Sequence, residues 1–187
     1  MVSEEENRIF IATFFNAKNK KLCGLIDKLN SKNHPGLKPV PVEKIHITWK
    51  FIGKIAPTEN KKIFNIIKEH SYMLKNISIE FGKLEIWPNS RNPRLLAIIP
   101  VKYNNKFKDY FKHLDENLYK ALKIKKEKKE FVPHITVARI KNNIKNINKF
   151  KKADFEPIKL KIKHIQVTES INIPQGVLYK ILFSEEI

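Results

Sequence analysis

KIHITWKFIG at residues 44–53 and FVPHITVARI at residues 131–140 carry the same His-Ile-Thr core, and this repetition decides the fold. The chain has six histidines and five threonines among its 187 residues. Random placement of these residues would give about 0.16 His-X-Thr triplets. Because two such triplets are present, composition alone does not account for the pair, and the repeat requires a structural or functional cause.

Each motif has the alternation that is typical of a β-strand. In the first motif His46, Thr48 and Lys50 alternate with apolar residues that include Trp49 and Phe51, and in the second motif His134 and Thr136 alternate with Ile135 and Val137. Side chains two residues apart in a strand project from the same face. Each motif therefore presents an imidazole and a hydroxyl side by side, while the intervening apolar residues are predicted to face the interior.

The two halves of the chain keep the same spacing around these motifs. An arginine precedes an apolar stretch in RIFIATFF (8–15) and again in PRLLAIIP (93–100). The first arginine lies 38 residues before His46, and the second lies 40 residues before His134. This correspondence predicts an internal repeat of one structural unit.

The segments between and after the motifs predict helices and further strands. Apolar residues with helical spacing lie between each Arg-led strand and its motif: Leu22, Leu25, Ile26 and Leu29 in the first half, and Phe107, Tyr110, Phe111, Leu114 and Leu118 in the second. After the first motif, Thr58 is predicted to cap a helix that carries Ile63, Ile67 and Leu74, and a strand follows at 77–87. After the second motif, a further helix that carries Ile144, Ile147 and Phe150 is predicted, and a strand follows at 159–170.

Two matching halves of mixed strands and helices predict an α+β protein. We expect two pseudo-symmetric lobes, each an antiparallel sheet with outer helices, that face each other across a central cleft. The pseudo-repeats span roughly residues 8–90 and 93–183, and residues 1–187 form a single bilobal domain because either lobe alone would bury little core. A pseudo-two-fold axis would bring the two His-Thr faces to opposite walls of the cleft.

Two imidazoles in one cleft favour acid–base chemistry. The pKa of histidine lies near neutrality, so one neutral ring can remove a proton while one protonated ring donates a proton to a leaving oxygen. The two threonine hydroxyls can donate hydrogen bonds to the non-bridging oxygens of a phosphate. This chemistry requires no metal and no cofactor.

The amino-acid composition limits which binding partners and which cellular compartment are expected. The formal net charge of +18 predicts attraction to polyanions such as RNA, DNA or an anionic membrane face. A nucleotide bias of the source genome would also enrich Lys, Asn and Ile together, so charge alone leaves nucleic-acid binding open. Cys23 is the single cysteine, the start MVSEEENR is acidic, and no apolar run approaches about 18 residues. These features predict a cytoplasmic protein that does not span a membrane.

The two motifs resemble the signatures of a known family. HITWKFIG (46–53) and PHITVAR (133–139) are similar to the tandem H-x-T/S signatures of the two-histidine (2H) phosphoesterases. RIFIA (8–12), NPRLLA (92–97) and the Glu-Ser pair at 169–170 resemble parts of the bacterial and archaeal RNA 2′,3′-cyclic phosphodiesterases, also called 2′-5′ RNA ligase-like proteins. The resemblance covers nearly the whole chain. One H-x-T is a weak signal, but two in strands at this separation form a strong one.

The resemblance implies a metal-independent enzyme that opens terminal 2′,3′-cyclic phosphates on RNA to 2′-phosphates. It also implies a V-shaped cleft between two lobes and, as a further family activity, 2′-5′ joining of tRNA halves. The expected partner is RNA with a cyclic phosphate end, and a monomer is expected. His134 is then the general base and His46 the general acid, with Thr48 and Thr136 on the phosphate oxygens, although the pseudo-symmetry leaves the reverse assignment open.

The resemblance also places Arg139 near the phosphate. Arg139 follows Thr136 by three residues, so it faces the other way unless the strand ends or bulges there. Otherwise it is an exposed residue at a strand end. Arg8 and Arg94 have either a role near the site or a structural role at the start of a strand, and both alternatives stay open.

Some features depart from the family or compete with the functional interpretation. Trp49 stands where the family often has Leu, and the lysine-rich stretch KIKKEKKE (123–130) precedes the second motif; both leave substrate preference open rather than the chemistry. The lysine-rich stretch is interpreted as a solvated loop that adds non-specific attraction for phosphate. The remaining histidines, namely His34, His70, His113 and His164, are expected to be packed or solvated residues.

A second class of function remains open, namely a basic RNA-end or tRNA-end binding module that does not turn its ligand over. Two titratable imidazoles favour the enzyme, because a module that only binds phosphate would use Arg or Lys, which keep their charge at all working pH values.

Overall fold

The computed structural model describes residues 7–15, 19–31, 36–141, 144, 147–151 and 155–187. The strands are Asn7–Phe14 (β1), Leu37–Pro39 (β2), His46–Ile55 (β3), Ser78–Trp87 (β4), Leu95–Lys102 (β5), Ile135–Ile140 (β6), Ile158–Lys161 (β7), His164–Ile173 (β8) and Gly176–Glu186 (β9). The helices are Lys20–Ser31 (α1), Asn60–His70 (α2) and Lys106–Leu122 (α3), with short 3-10 turns at Val42–Lys44, Pro57–Glu59, Ser71–Leu74 and Ile147–Phe150.

The strands that carry the two motifs lie side by side at the centre of one antiparallel sheet. The strand order is β7-β4-β5-β6-β3-β1-β8-β9, and β2 also pairs with β6. We call β3, β1, β8 and β9 the first arm, and β6, β5, β4 and β7 the second arm. The arms are paired where Ile47 of β3 lies opposite Ile135 of β6. The predicted α+β class is confirmed, and the two predicted sheets are arms of one continuous sheet.

The two halves of the sequence exchange strands between the arms. β4 comes from the first half of the chain but pairs with β5 and β7 of the second arm. β8 and β9 come from the second half, and β8 pairs with β1 of the first arm. Each arm is therefore completed from the other half of the sequence, the first by β8 and β9 and the second by β4.

Trp49 of β3 belongs to the apolar core. Its ring lies 5.6 Å from that of Phe107 and 5.2 Å from that of Tyr110, both on α3. Its Nε1 donates a hydrogen bond to Thr13 Oγ1 (2.8 Å), and that hydroxyl donates to the carbonyl oxygen of His164 (2.8 Å). This chain of bonds joins β3, β1 and β8. The family departure at Trp49 therefore changes core packing and does not place the indole where a substrate can reach it.

Most predicted elements are present, with local differences. The strand predicted at 159–170 is divided into β7 and β8, which lie on opposite arms. Ile144 lies outside the 3-10 turn Ile147–Phe150 that replaces the second predicted helix.

The predicted Thr58 cap is wrong. Thr58 lies inside the 3-10 turn Pro57–Glu59, and α2 begins at Asn60 with Glu59 as its N-terminal flanking residue and no side-chain cap bond. The proline at the first position of the turn starts the helical geometry two residues earlier than a threonine cap would. None of the helices in the described ranges is long and apolar enough to cross a membrane.

Candidate active site

The pairing of β3 with β6 aligns the two His-Ile-Thr motifs. Ile47 and Ile135 are fully buried and lie opposite each other across the antiparallel pair. In this register the residue before each isoleucine faces the residue after the other isoleucine. The neighbours of both isoleucines project from the opposite face of the sheet, because side chains alternate along a strand.

The four predicted polar residues therefore lie together on one face. Continuing the register places His46 across from Thr136 and Thr48 across from His134. All four side chains are half-buried, which is consistent with the floor of an open cleft. β1 and β5 flank the pair in matching fashion, since Ala12 of β1 lies opposite Thr48 and Ala97 of β5 lies opposite Thr136.

Backbone carbonyls orient both histidine rings in the same way. His46 Nδ1 lies 2.7 Å from the carbonyl oxygen of Lys44, and His134 Nδ1 lies 3.0 Å from that of Val132. A carbonyl oxygen only accepts hydrogen bonds, so Nδ1 carries the proton in each ring. In the neutral ring Nε2 then bears the lone pair, and it is the atom through which each histidine can accept or return a proton.

The surroundings favour the neutral form of both rings. Burial lowers the pKa of His46 below its ordinary value, and the positive charges of His134 and Arg139 lower it further. The hydrogen bond to the Lys44 carbonyl raises the pKa and offsets part of this effect. Burial also lowers the pKa of His134, although the hydrogen bond to the Val132 carbonyl raises it in part. A bound phosphate anion would act in the opposite direction, because a nearby negative charge stabilises an imidazolium.

Aromatic side chains account for much of this burial around His46. The ring centre of His46 lies 4.9 Å from that of Phe14, 5.4 Å from that of Phe10 and 5.5 Å from that of Tyr179. On the other arm, the ring of Trp87 lies 4.1 Å from that of His134. Each catalytic candidate is thus packed against at least one aromatic ring at the edge of the site.

Sequence reasoning did not identify these four aromatic residues. Both faces of β1 are largely apolar, so the sequence gives no sign that Phe10 and Phe14 differ from other residues of a buried strand. Their register was the missing signal, because Phe14 lies opposite His46 and therefore shares its face. Tyr179 and Trp87 reach the site only through the pairing of β9 with β8 and of β4 with β5, which are long-range contacts.

A bulge in β6 places Arg139 on the same face as Thr136. Thr136 lies opposite Ala97, but Ala138 lies opposite Leu96, so Val137 is an extra residue in the ladder. Val137 and Ala138 are both buried, and the next residue, Arg139, is exposed. An extra residue reverses the alternation of side chains in the strand beyond it. Arg139 therefore projects from the same face as Thr136, as a role near the phosphate requires.

β3 contains the same bulge at the equivalent position. Thr48 lies opposite Ala12, but Lys50 lies opposite Ile11, so Trp49 is the extra residue. Trp49 and Lys50 are both buried, whereas Phe51 is 67% exposed. The expectation that Phe51 faces the interior and Lys50 shares the face of Thr48 is therefore wrong, because the bulge reverses the alternation after Thr48. Three residues after each threonine the strand returns to the cleft face, with Arg139 on the second arm and Phe51 on the first.

The other two arginine candidates, Arg8 and Arg94, have different surroundings. Arg8 is exposed and lies opposite Lys54, eight residues along β3 from His46. Arg94 is exposed as well; its backbone N–H donates to the carbonyl of Trp87 (2.8 Å), and its own carbonyl accepts from Ile140 (2.8 Å). The position of Arg8 favours the structural alternative, whereas Arg94 lies beside Trp87 and Ile140, so both alternatives stay open for it.

The remaining described histidines lie away from the two motifs. His70 on α2 contacts Asn117 Nδ2 of α3 through Nε2 (2.9 Å), and its ring lies 5.9 Å from that of His113. His164 opens β8, where its backbone pairs with Glu186. His34 lies outside the described residues. In the described part of the chain, no group of three or more His, Cys, Asp or Glu side chains is arranged to hold a metal ion.

Comparison with known proteins gives a consistent result. A family model described as LigT like Phosphoesterase matches residues 17–97 and again residues 99–179. An RNA 2′,3′-cyclic phosphodiesterase of Methanocaldococcus jannaschii is 35% identical over 153 residues, which are 79% of this chain and 83% of that protein. A protein of the same name from Aeropyrum pernix is 28% identical over 87% of this chain and 93% of its own length.

Solved structures share the fold at lower identity. TT0787 of Thermus thermophilus superposes with a TM-score of 0.74 at 21% identity, over 96% of this chain and 97% of that one. Escherichia coli LigT in its apo form superposes with a TM-score of 0.72 at 15% identity, over 97% and 98%. The shared architecture is a curled antiparallel sheet that forms half a barrel, with a few helices. The chain therefore belongs to the LigT-like phosphoesterase family, which confirms the resemblance to the two-histidine phosphoesterases.

Proposed function

We propose that this protein is a metal-independent RNA 2′,3′-cyclic phosphodiesterase that opens terminal 2′,3′-cyclic phosphates to 2′-phosphates. The observation that carries the proposal is the register of β3 and β6, which gathers two His-Thr pairs on one face of the sheet. Family membership supports it, since curated relatives along most of the chain have this name.

The reaction needs one base and one acid. His134 Nε2 removes a proton from water, whose oxygen attacks the phosphorus as the bond from phosphorus to the 3′ oxygen breaks. His46, in its protonated form, returns a proton from Nε2 to that leaving oxygen. The product has a 2′-phosphate and a 3′-hydroxyl, and the two rings end with their protonation states exchanged. The near symmetry of the site permits the opposite assignment, in which His46 is the base.

The neighbouring polar groups bind the phosphate. Thr48 and Thr136 donate hydrogen bonds to its non-bridging oxygens, whose charge is redistributed in the transition state. Arg139 adds a permanent positive charge from the second arm. The phosphate raises the low pKa values of the histidines, so that one ring can be protonated in the complex.

Further parts of the proposal concern the setting of the reaction. If the 5′-hydroxyl of a second RNA takes the place of water as the nucleophile, the same groups join two RNA ends through a 2′-5′ linkage, with tRNA halves as the substrate. We propose that the protein acts in the cytoplasm as a monomer on RNA ends, and that residues 1–187 act as one bilobal domain with two pseudo-repeats.

A short RNA that ends in a 2′,3′-cyclic phosphate tests the activity. We expect conversion to the 2′-phosphate, identified by ³¹P NMR and by mass. A 3′-phosphate product would contradict the assigned bond cleavage.

The same digest in EDTA tests the role of metal. Because two imidazoles supply both proton transfers, we expect the rate to be unchanged after chelation. Loss of activity in EDTA and recovery with a divalent ion would contradict the mechanism.

The competing function is binding of RNA ends without turnover. It predicts tight binding of the cyclic phosphate end, with the substrate recovered intact after long incubation. The lowered pKa values of both histidines favour the enzyme, because rings that are mostly neutral are poor permanent anion ligands but suit proton transfer.

A further inference from the structure

An open groove lies beside the candidate active site on the first arm. It has a volume of about 440 Å³ and is lined by Phe51 and Ile52 of β3 and by residues 124–129. These last residues belong to the lysine-rich stretch 123–130, which we call the lysine segment. The segment follows α3 and comes before the second His-Ile-Thr motif. The segment therefore reaches Phe51, which lies on the cleft face of β3.

A buried ion pair fixes the lysine segment in this place. The Lys50 side chain is 1% exposed, and its Nζ lies 2.7 Å from Asp115 Oδ1 of α3 and 3.1 Å from Glu127 Oε1. Lys50 Nζ also donates to the carbonyl oxygen of Lys125 (2.8 Å), and the N–H of Glu127 donates to Asp115 Oδ2 (3.0 Å). A loop that served only to be solvated would not need this anchor, so the interpretation of the segment as a simple solvated loop is incomplete.

The anchor leaves positive charge on the outer side of the segment. Both of its glutamates are engaged, Glu127 with Lys50 and Glu130 with Lys108. Three exposed lysines, Lys125, Lys128 and Lys129, have no ion pair among the described residues, and all three line the groove. A row of uncompensated lysines on a fixed backbone suits a polyanion such as a phosphodiester chain.

Phe51 connects this groove to the catalytic candidates. Its ring centre lies 6.2 Å from that of Phe10, which lies 5.4 Å from that of His46. Phe51 is therefore within about 12 Å of the His46 ring, so a base close to the cyclic phosphate end can reach it. A phenylalanine that is 67% exposed offers a flat apolar face for a base.

We propose that Phe51 and the lysine segment form a second binding site for single-stranded RNA, which holds the strand on the 5′ side of the terminal nucleotide. The base next to the terminal nucleotide stacks on Phe51, and the phosphates further upstream lie along Lys125, Lys128 and Lys129. The inference rests on the proposed function, because it gives the direction in which the substrate leaves the catalytic site. It defines the preferred substrate as an RNA strand rather than a cyclic mononucleotide.

A series of substrates from one to five nucleotides, each with a terminal 2′,3′-cyclic phosphate, tests the site. For the unchanged protein we expect kcat/KM to rise about tenfold when the second nucleotide is added, and again as the third and fourth reach the lysines. Phe51→Ala is expected to remove the first increase and Phe51→Trp to retain it. A flat series for the unchanged protein would overturn the proposal.

The lysines are tested with a charge-matched control. The triple variant Lys125→Ser, Lys128→Ser, Lys129→Ser should lower the ratio of kcat/KM for the pentanucleotide to that for the mononucleotide about tenfold. It should also reduce the slope of log affinity against log salt by about 2, since each single-strand phosphate contact contributes about 0.7. The control removes three exposed lysines that do not line the groove, namely Lys61, Lys75 and Lys163. An equal fall in both triple variants would show that only the net charge matters and would overturn the proposal.

Direct binding separates this inference from the proposed function. Fluorescence anisotropy with a labelled pentanucleotide that ends in a 3′-phosphate measures the groove without turnover. If the unchanged protein hydrolyses none of the cyclic phosphate substrates, the proposed function fails. Weaker pentanucleotide binding by the Phe51→Ala and triple lysine variants would still support the second site. If hydrolysis proceeds but these variants bind the pentanucleotide as the unchanged protein does, the second site is disproved.

Discussion

At the scale of single residues, the candidate site contains the same local arrangement of residues twice. A histidine donates through Nδ1 to the carbonyl two residues earlier, a threonine follows two residues later, and a bulge then returns the third residue after the threonine to the same face. Among the side chains on the cleft face, the copies differ only at that last position, where one has Phe51 and the other Arg139. A site of this kind can bind the phosphate with both threonines and Arg139, and a base with Phe51.

Replacement of either histidine should cost most of the activity. We expect His46→Ala and His134→Ala each to lower kcat about a hundredfold or more, because each removes one of the two proton transfers. The double variant should lose much less than the product of the two losses, since the rings act as a unit. His113→Ala, on the exposed side of α3, is the matched control and should keep full activity. Full activity of either single variant at the site would contradict the two-histidine mechanism.

The roles of the two histidines can be separated with a substrate whose leaving group is already good. Such a leaving group needs no proton, so it should restore the variant that lacks the acid but not the one that lacks the base. We expect rescue of His46→Ala. Rescue of His134→Ala alone would reverse the assignment.

The pH dependence should report the environment of His46. Because the pKa values of both rings are lowered, the bell-shaped profile of kcat/KM should lie on the acid side of the ordinary histidine value of about 6.5. Arg139→Gln removes a positive charge that disfavours the imidazolium, so the pKa of His46 should rise, and the limb that it governs should move to higher pH. Arg8→Gln, an exposed residue far along β1, should leave both limbs in place. Equal profiles for the Arg139 variant and the unchanged protein would show that Arg139 does not act on His46.

Part of this site could be predicted from the sequence, for a physical reason. The strand period of two places His46 with Thr48, and His134 with Thr136, without knowledge of any partner strand. Arg139 needed a bulge, which depends on how β6 pairs with β5. Phe51 followed the same rule as Arg139, but an apolar residue in an apolar strand gave no reason to look for it on the open face.

At the scale of elements, β3 joins the site to the core and to the lysine segment. Trp49 stacks on Phe131, the residue that follows the segment, with ring centres 5.5 Å apart. Lys50 holds the segment through Asp115 and Glu127. One bulge thus turns two consecutive side chains into the interior, where both support the chain that leads to the second motif.

Loss of the buried lysine should destabilise the fold. Lys50→Met leaves the Asp115 carboxylate buried beside an apolar group, and breaking a buried pair in this way costs about 3–5 kcal/mol. The double variant Lys50→Met, Asp115→Leu should recover much of the loss, because neither charge is then buried alone. Lys62→Met breaks an exposed pair with Glu59 and should cost less than about 1 kcal/mol. Urea unfolding measures all three, and equal stability of the Lys50 and Lys62 variants would contradict the importance of the buried pair.

The elements that local periodicity defines were predicted well, and those that depend on partners were not. α1 and α3 lie where apolar residues recur with helical spacing. The strand predicted at 159–170 is instead two strands, because Ile158–Lys161 pairs with β4 whereas His164–Ile173 pairs with β1 and β9. The chain crosses from one arm to the other between them, and no local pattern of hydrophobic residues encodes that crossing.

At the scale of the whole molecule, exchange of strands links the two halves of the sequence. A cut between Arg91 and Asn92 falls in the exposed loop between β4 and β5. In the first fragment β4 loses both of its partners, β5 and β7, and β2 loses β6. In the second fragment β7 loses β4, and β8 loses β1. Each fragment would expose strand edges whose backbone groups pair with the other half in the intact chain.

We therefore expect neither fragment to fold alone. Residues 1–91 and 92–187, expressed separately, should show no cooperative unfolding transition and no phosphodiesterase activity, because each lacks strands of both arms as well as one histidine. Mixing or co-expression should restore a cooperative transition and part of the activity, since the missing strand partners are then present. The control is the intact chain cleaved in the folded state at a protease site placed in the same loop, which should keep its transition and so show that the loop itself is not required. A cooperative transition in one isolated fragment, measured by circular dichroism during urea unfolding, would show instead that the chain contains two independent domains and would refute the single bilobal unit.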